Sequence, residues 1–306
     1  MEKIVSVRHL SHRYDNHWAV RDLNFDIEGN GVVGLLGSNG AGKSTTMNII
    51  CGVLTATEGD IRIKGFNLKE HPVEARKYIG FLPQTAPLYS DLTVHEYLTH
   101  CAHLHLMDPG KVRDAVERVK ERCSISHFSN RLIKSLSGGY QQRVGIAQAI
   151  VHDPAFVVLD EPTNGLDPNQ IVDVRNLIRE IAQESCVLLS THILSEIQAT
   201  CQEIRMIDGG KLVFSGTMDE FDNYVEPSGF IAEFTSDPSL ETVKGIVPKA
   251  QVDPLGSCHY RISSKNTTEQ SQIFIRQCVT QQLPLKEVTV ERCSLNDVFA
   301  RLSGKR

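Results

Sequence analysis

Residues 37–45 read GSNGAGKST and follow directly on the apolar run GVVGLL at 31–36. The spacing Gly37-x-x-x-x-Gly42-Lys43-Ser44 is that of a phosphate-binding loop, and its setting is the one such a loop requires. A buried strand precedes it, and a helix running from Lys43 to about Cys51 follows. The turn made by Gly37, Ser38, Asn39, Gly40, Ala41 and Gly42 lets successive backbone N–H groups converge on phosphate oxygens, with the positive end of the helix behind them. Lys43 is then placed to bridge β and γ phosphates. Ser44, with Thr45 beside it, offers a hydroxyl to Mg2+. A glycine turn without chemical meaning does not ordinarily sit between a strand and a helix.

Two further stretches bear on the same chemistry. FVVLDEP, at 156–162, is an apolar strand ending in two acids, an arrangement that is costly unless something at the strand end needs the charge. Asp160 is expected to hold the Mg2+ shell and Glu161 to face the γ-phosphate as general base or water-orienting group. LSGGYQQR, at 136–143, reads as a helix start with Ser137 as cap and with Gly138 and Gly139 permitting close backbone approach to phosphate. One nucleotide needs one cradle, so this second motif raises the question of whose phosphate it meets.

Outward from these motifs the chain is organised as an α/β protein. IVSVRHL, AVRDLNFDI, GVVGLLG, AFVVLD and CVLLSTH read as strands interleaved with helices, which implies a mostly parallel sheet covered on both faces, with the early strands as an antiparallel edge. Between about 85 and 136 the pattern turns helical. Thr93-x-x-Glu96 forms a capping box, and Asp108-Pro109 opens a helix whose Val112, Val116, Val119 and Cys123 make one apolar stripe. This is read as a helical subdomain inserted in the core.

EPSG, at 226–229, marks a boundary. Beyond it the order β-α-β-β-α-β over FIAEFT, SLETVKGI, AQVDPL, HYRISS, EQSQIFIRQCVTQQ and KEVTVER fits a small split-βαβ, α+β domain. A last short helix, SLNDVFARL, is capped by Ser294. The expected division is therefore a cassette over 1–225 and an accessory domain over 226–306.

Composition sets outer limits. At 306 residues, 41% hydrophobic and 23% charged, the chain has the make-up of a globular protein with a large core. A net charge of −5 argues against a surface that coats nucleic acid. Eight cysteines with no CxxC pair and no signal peptide read as reduced thiols of a cytoplasmic protein. The apolar runs are too short to span a bilayer, so any membrane role needs another polypeptide. His100 and His103, with Glu96 on the same helical face, lack the further ligands of a metal site; they, Trp18 and the cysteines are read as packing.

With GSNGAGKST, LSGGYQQR and FVVLDEP in that order, the chain resembles the ATP-binding cassette (ABC) ATPases over about residues 1–220. The resemblance implies further roles. Tyr14 matches the aromatic that stacks on adenine, with Trp18 or His17 competing for the place. Gln84, in FLPQ, matches the glutamine that reaches the metal and ties the site to the helical subdomain. Asp167, in NGLDP, matches the acid that contacts the opposite subunit, and His192, in LLSTH, the histidine on the γ-phosphate. Ser38 stands where proline is common, a position that shapes the loop but supplies no catalytic group.

In this family two cassettes face head to tail, so Ser137, Gly138, Gly139 and Gln141 of one copy cover the ATP held by the other. Hydrolysis removes that contact and opens the dimer. The resemblance thus implies an ATPase subunit with ATP and Mg2+, a homodimeric partner and a separate transmembrane permease, on the cytoplasmic face of the membrane. No nucleic acid partner is expected. The tail SLNDVFARLSG and the stretch APLYSDLTVHEYL are similar to the exporter branch that includes multidrug and gliding-motility-type ATPases. Importer ATPases with C-terminal regulatory domains, and ABC proteins acting on ribosomes or nucleic acid, are the alternatives; a P-loop kinase would have no use for LSGGYQQR.

Overall fold

The computed structural model of the protein describes residues 3–224, 229–248, 250–256, 258–264 and 266–291. The chain divides into two compact units, Met1–Met218 and Asp219–Arg306.

In the first unit β1 (Lys3–Tyr14) and β2 (His17–Glu28) form a long hairpin. With β4 (Glu58–Ile63) and β5 (Phe66–Asn67) they make an antiparallel sheet of order β2-β1-β4-β5. The strands β3 (Gly31–Leu36), β6 (Ile79–Leu82), β7 (Phe156–Asp160), β8 (Cys186–Thr191), β9 (Glu203–Asp208) and β10 (Lys211–Thr217) make a second sheet. Its order is β10-β9-β3-β8-β7-β6, parallel throughout except for the antiparallel edge strand β10. Every residue of β7 and β8 is buried, as unbroken apolar strands covered on both faces must be.

Helix α1 (Lys43–Ile50) touches both sheets. Its Met47 and Ile50 join Val5, Leu10 and Ile27 of the antiparallel sheet to Leu35, Val158 and Leu188 of the parallel one in a single core. Cys51 closes α1 at its C-cap rather than continuing it. The short α2 (Pro72–Arg76) leads into β6.

The helical stretch expected after Gln84 contains α3 (Val94–Leu104) and α4 (Pro109–Arg122), then two short 3-10 turns. The α3 capping box is complete: Glu96 N donates to Thr93 Oγ1 and Thr93 N donates to Glu96 Oε2 at 2.9 Å. Asp108 caps α4 through Gly110 N at 3.0 Å, and Val112, Val116, Val119 and Cys123 are all buried. Both helices pack on α5 (Gly138–Ile150), which lies against β6 and β7. The unit continues through α6 (Pro168–Glu184) and α7 (Leu194–Thr200). The helix α8 (Met218–Asp222) then follows β10.

In the second unit the order is β11 (Gly229–Phe234), α9 (Leu240–Ile246), β12 (Gln251–Gly256), β13 (His259–Ser263), α10 (Thr267–Thr280) and β14 (Leu285–Glu291). The antiparallel sheet runs β12-β13-β11-β14 and has a core of its own, built on Phe230, Phe234, Tyr260, Ile262 and Phe274. This is the split-βαβ arrangement read from the sequence. The final helix expected over SLNDVFARL, with its Ser294 cap, lies outside the described residues, as do 225–228.

Candidate nucleotide site

The loop between β3 and α1 is shaped by two glycines, Gly37 and Gly42, whose surroundings leave no room for a side chain. Gly42, the N-cap of α1, has φ +106°, and a Cβ there would sit 2.6 Å from both Ala19 O and Val20 Cγ1. A Cβ on Gly37 would lie 2.4 Å from Ile207 O. The loop is therefore pinned between β2 and β9, with Ala41 N bonded to Ser38 O and Gly210 N to Ala41 O.

Lys43 is only 6% exposed, and its ammonium folds back over the loop, donating to Gly37 O at 2.8 Å and Ser38 O at 3.2 Å. Burial pushes its pKa below the ordinary lysine value, while the Glu161 and Asp160 carboxylates oppose that shift. Asn39, Gly40, Gly42, Lys43, Ser44 and Thr45 line an open cleft of about 490 Å³ whose far wall carries Gln84, Glu161, Asn164 and His192.

Those wall residues form one hydrogen-bonded group centred on Glu161. Its Oε2 accepts from Gln84 Nε2 at 3.1 Å and from Asn164 Nδ2 at 3.4 Å; its Oε1 pairs with His192 Nδ1 at 3.0 Å. The residue has φ +49°, an uncommon conformation for a side chain of this size. Bonds from Glu161 N to Ser190 Oγ at 3.1 Å and to Ser190 O at 3.2 Å hold it there. Ser190 also donates its hydroxyl to Asp160, which is 4% exposed at the end of β7.

The other residues singled out in the sequence lie elsewhere. Ser137, Gly138, Gly139, Gln141 and Asp167 do not line this cleft. Ser137 stands at the N-cap position of α5, but its side chain makes no cap hydrogen bond. A Cβ on Gly138 would meet nothing within 4 Å, whereas one on Gly139 would run into the Gln170 side chain. Gln141 Nε2 is taken up by Ile133 O and Leu136 O, at 3.1 and 3.2 Å, and so ties down the turn before α5. Asp167 caps α6, accepting from Asn169 N and Gln170 N at 3.0 Å.

At the aromatic end of the cleft His17 is part of the lining, while Tyr14 is half-exposed beside it in the β1–β2 hairpin and edge-on to His12. The Trp18 ring has the guanidinium groups of Arg13 and Arg21 over it, each 5.8 Å from its centroid.

Ser190 and Asn164 lie inside the quoted stretches LLSTH and NGLDP, but only His192 and Asp167 were singled out there; the contacts of Ser190 and Asn164 with Glu161 appear only in the folded chain. The side chains considered for metal binding on α3 have other partners: Glu96 is used by the capping box, and His100 lies against Tyr89. The described cysteines are free thiols, and burial raises those of Cys123, Cys186 and Cys201 to about 12, so they are poor nucleophiles at neutral pH.

A phosphate loop at the end of a central parallel strand, an acidic strand end beside it and an inserted helical segment together define an ATP-binding cassette. Comparison with known proteins agrees. Residues 20–164 match the family model described as ABC transporter. The ABC transporter ATP-binding protein YhcH of Bacillus subtilis (strain 168) is 30% identical over 308 residues, covering 100% of this chain and 97% of that protein. The bacitracin transport ATP-binding protein BcrA of Bacillus licheniformis is 35% identical over 215 residues, 70% of this chain and 69% of its own. Among solved structures, the ATP-binding subunit of an ABC transporter superposes with a TM-score of 0.66 at 29% identity, over 72% of this chain and 92% of that one. The chain belongs to the ABC transporter ATP-binding proteins and is an ATPase of that family.

Proposed function

We propose that this chain is the motor subunit of an exporter: two copies close head to tail over two ATP molecules, and their cycle drives a separate transmembrane permease. The observation that carries the reading is the start of α5. Ser137 leaves its hydroxyl uncommitted, Gly138 has open space where a side chain would be, and neither lines the chain's own cleft. A helix start prepared for phosphate but turned away from the local nucleotide is explained by a nucleotide on a second copy. The described residues contain no helix long and apolar enough to cross a membrane, so transport requires a spanning partner.

Within one copy, the loop from Gly37 to Thr45 binds the phosphates and Lys43 neutralises the β and γ groups. Glu161 takes the proton of the attacking water, and His192 and Gln84 fix its carboxylate toward the γ-phosphate. Asp160, Ser44 and the Gln84 amide oxygen suit Mg2+, which takes hard oxygen ligands, and a carboxylate as buried as Asp160 favours a cation beside it. Mg2+ supplies charge neutralisation for the transferring phosphoryl group. His17, in the cleft lining, and Tyr14, its partner in the β1–β2 hairpin, are the surfaces for adenine. Asp167, at the start of α6, faces the opposite copy. Residues 226–306 form an accessory domain that stabilises the dimer, a role that fails if removing them changes neither self-association nor turnover.

The direction of transport rests on the resemblance of SLNDVFARLSG and APLYSDLTVHEYL to the exporter branch. The test is affinity isolation of the Glu161→Gln form with ATP from detergent-solubilised membranes. A polytopic membrane protein in stoichiometric amount is the expected companion, and recovery with ribosomes or nucleic acid alone overturns the reading. Efflux against uptake in vesicles carrying the reconstituted pair then decides direction.

A further inference from the structure

Glu196, on α7, is a carboxylate at 4% exposure, among the most deeply buried acids of the first unit. A charge in that position is costly unless several donors meet it. Three do. Thr163 Oγ1 donates to its Oε1 at 2.8 Å, Thr191 Oγ1 donates to its Oε2 at 2.8 Å, and Arg175 Nη2 stands 3.9 Å from Oε1. Both threonines are themselves buried, at 8% and 2% exposure.

Their places in the chain give the arrangement its meaning. Thr163 follows Glu161 by two residues, and Thr191 immediately precedes His192. Thr191 Oγ1 also accepts from Ile193 N at 3.0 Å, so the backbone on both sides of His192 is tied to the same hydroxyl. The two oxygens of one carboxylate therefore grip the two chain segments whose side chains meet as the 3.0 Å Glu161–His192 pair. Beneath Glu161 the backbone is held in a left-handed conformation that survives only where its surroundings fix it.

We propose that Glu196 is a positioning residue for hydrolysis: by clamping Thr163 to Thr191 it sets the separation and alignment of the Glu161 carboxylate and the His192 imidazole. The inference rests on the reading of Glu161 and His192 as the hydrolytic pair. Neither Glu196 nor the threonines line the cleft, so the clamp acts through geometry and not through contact with nucleotide. An ångström of misplacement at a reacting group is worth on the order of 100-fold in rate. Loosening the clamp is accordingly expected to lower kcat far more than it changes the KM for ATP.

The experiment measures steady-state ATPase kinetics and nucleotide binding on the full chain. Thr163→Val and Thr191→Val keep the shape and delete the hydroxyl; Thr163→Ser and Thr191→Ser keep the hydroxyl and delete a methyl. The expected result is a fall in kcat of about 10-fold or more for each valine variant, with KM changed less than about 3-fold and with the serine variants recovering most of the rate. Glu196→Gln is expected to behave like the valine variants, and in a His192→Ala background to add no further loss. Valine variants with kcat within about 2-fold of the parent, or equal losses for serine and valine, overturn the proposal. Failure of the underlying assignment reads differently: Glu161→Gln would then turn over normally, whatever the threonines do. Should Glu196→Gln not fold, the four threonine variants decide the matter alone.

Discussion

Gly42 and Gly138 show how the same residue type serves two purposes at the residue scale. At Gly42 the backbone itself demands glycine, because φ is +106° and the space a Cβ needs is filled by Ala19 O and Val20 Cγ1. Gly42→Ala is expected to cost about 1–3 kcal/mol through strain and displacement of the loop and to abolish the stabilisation that ATP confers. Thermal melts with and without nucleotide read both effects, and an alanine variant with a parental ATP-induced shift would contradict this account. At Gly138 nothing among the described residues lies within 4 Å of an added methyl group. Gly138→Ala should leave the melting temperature of the isolated subunit within a few degrees of the parent, since it places a better helix former in the first turn of α5. It should nonetheless weaken the ATP-dependent dimer of the Glu161→Gln form, measured by sedimentation. An unchanged dimer would leave the open space at Gly138 without a purpose.

Elements meet through contacts that their own sequences do not announce, and the pair His105–His152 is a case with a measurable consequence. His105 closes α3, His152 lies in the turn after α5, and their rings stack with centroids 3.5 Å apart. His152 Nε2 donates to Ile79 O at 3.0 Å, which leaves a buried Nδ1 without a partner. Burial, then the neighbouring His105, push the His152 pKa down to about 3, and burial also lowers His105. The folded state thus keeps an imidazole neutral that the unfolded chain protonates near pH 6.5. The stability due to this site is complete above about pH 6.5 and is lost progressively as pH falls toward the folded value, at about 1.4 kcal/mol per pH unit for one histidine. Urea midpoints of the first unit should therefore drop between about pH 7 and about pH 5, and His152→Gln, which can still donate to Ile79 O, should flatten the slope. Equal slopes for the two proteins would remove His152 as the cause. The same distinction between local and long-range information explains what the sequence disclosed. The places of Lys43 at a helix start and of Asp160 at a strand end were legible because a loop, a strand end and a helix start are contiguous stretches with their own residue preferences, and the Thr93 and Asp108 caps were legible for the same reason. The cap bond expected of Ser137 is absent, because the position was legible but the side chain's partner was not. Ser190 reaches Asp160 across 30 residues and Thr163 reaches Glu196 across 33, so only the completed sheet brings them together. Strand β6 carries little signal of its own, since IGFL is four residues with no alternation, and its identity as a strand comes from pairing with β7.

At the scale of the whole molecule the decisive fact is that each unit has a core of its own. The first is built around Leu10, Leu35, Met47 and Val158, and the second around Phe230, Tyr260, Ile262 and Phe274. Among the described residues these two cores share no member, and cores built of different residues unfold as separate cooperative systems, so heat or urea should unfold the chain in two steps rather than one. Nucleotide distinguishes the steps, because every cleft residue belongs to the first unit. A ligand that binds only the folded cassette stabilises it by about 2.7 kcal/mol at 100 times its Kd, and leaves a domain that does not bind it where it was. Calorimetry of the Glu161→Gln form should therefore resolve two transitions: at protein concentrations too low for the dimer, ATP with Mg2+ raises only one by several degrees, and where the dimer forms, the proposed role of the accessory domain requires the other to rise as well. A fragment beginning at Gly229 should reproduce the transition that does not respond. If both transitions rise together, the accessory domain takes part in the ATP-bound dimer, as its proposed role in stabilising that dimer requires; if it stays fixed while the dimer forms, that role is excluded and the cassette alone makes the interface.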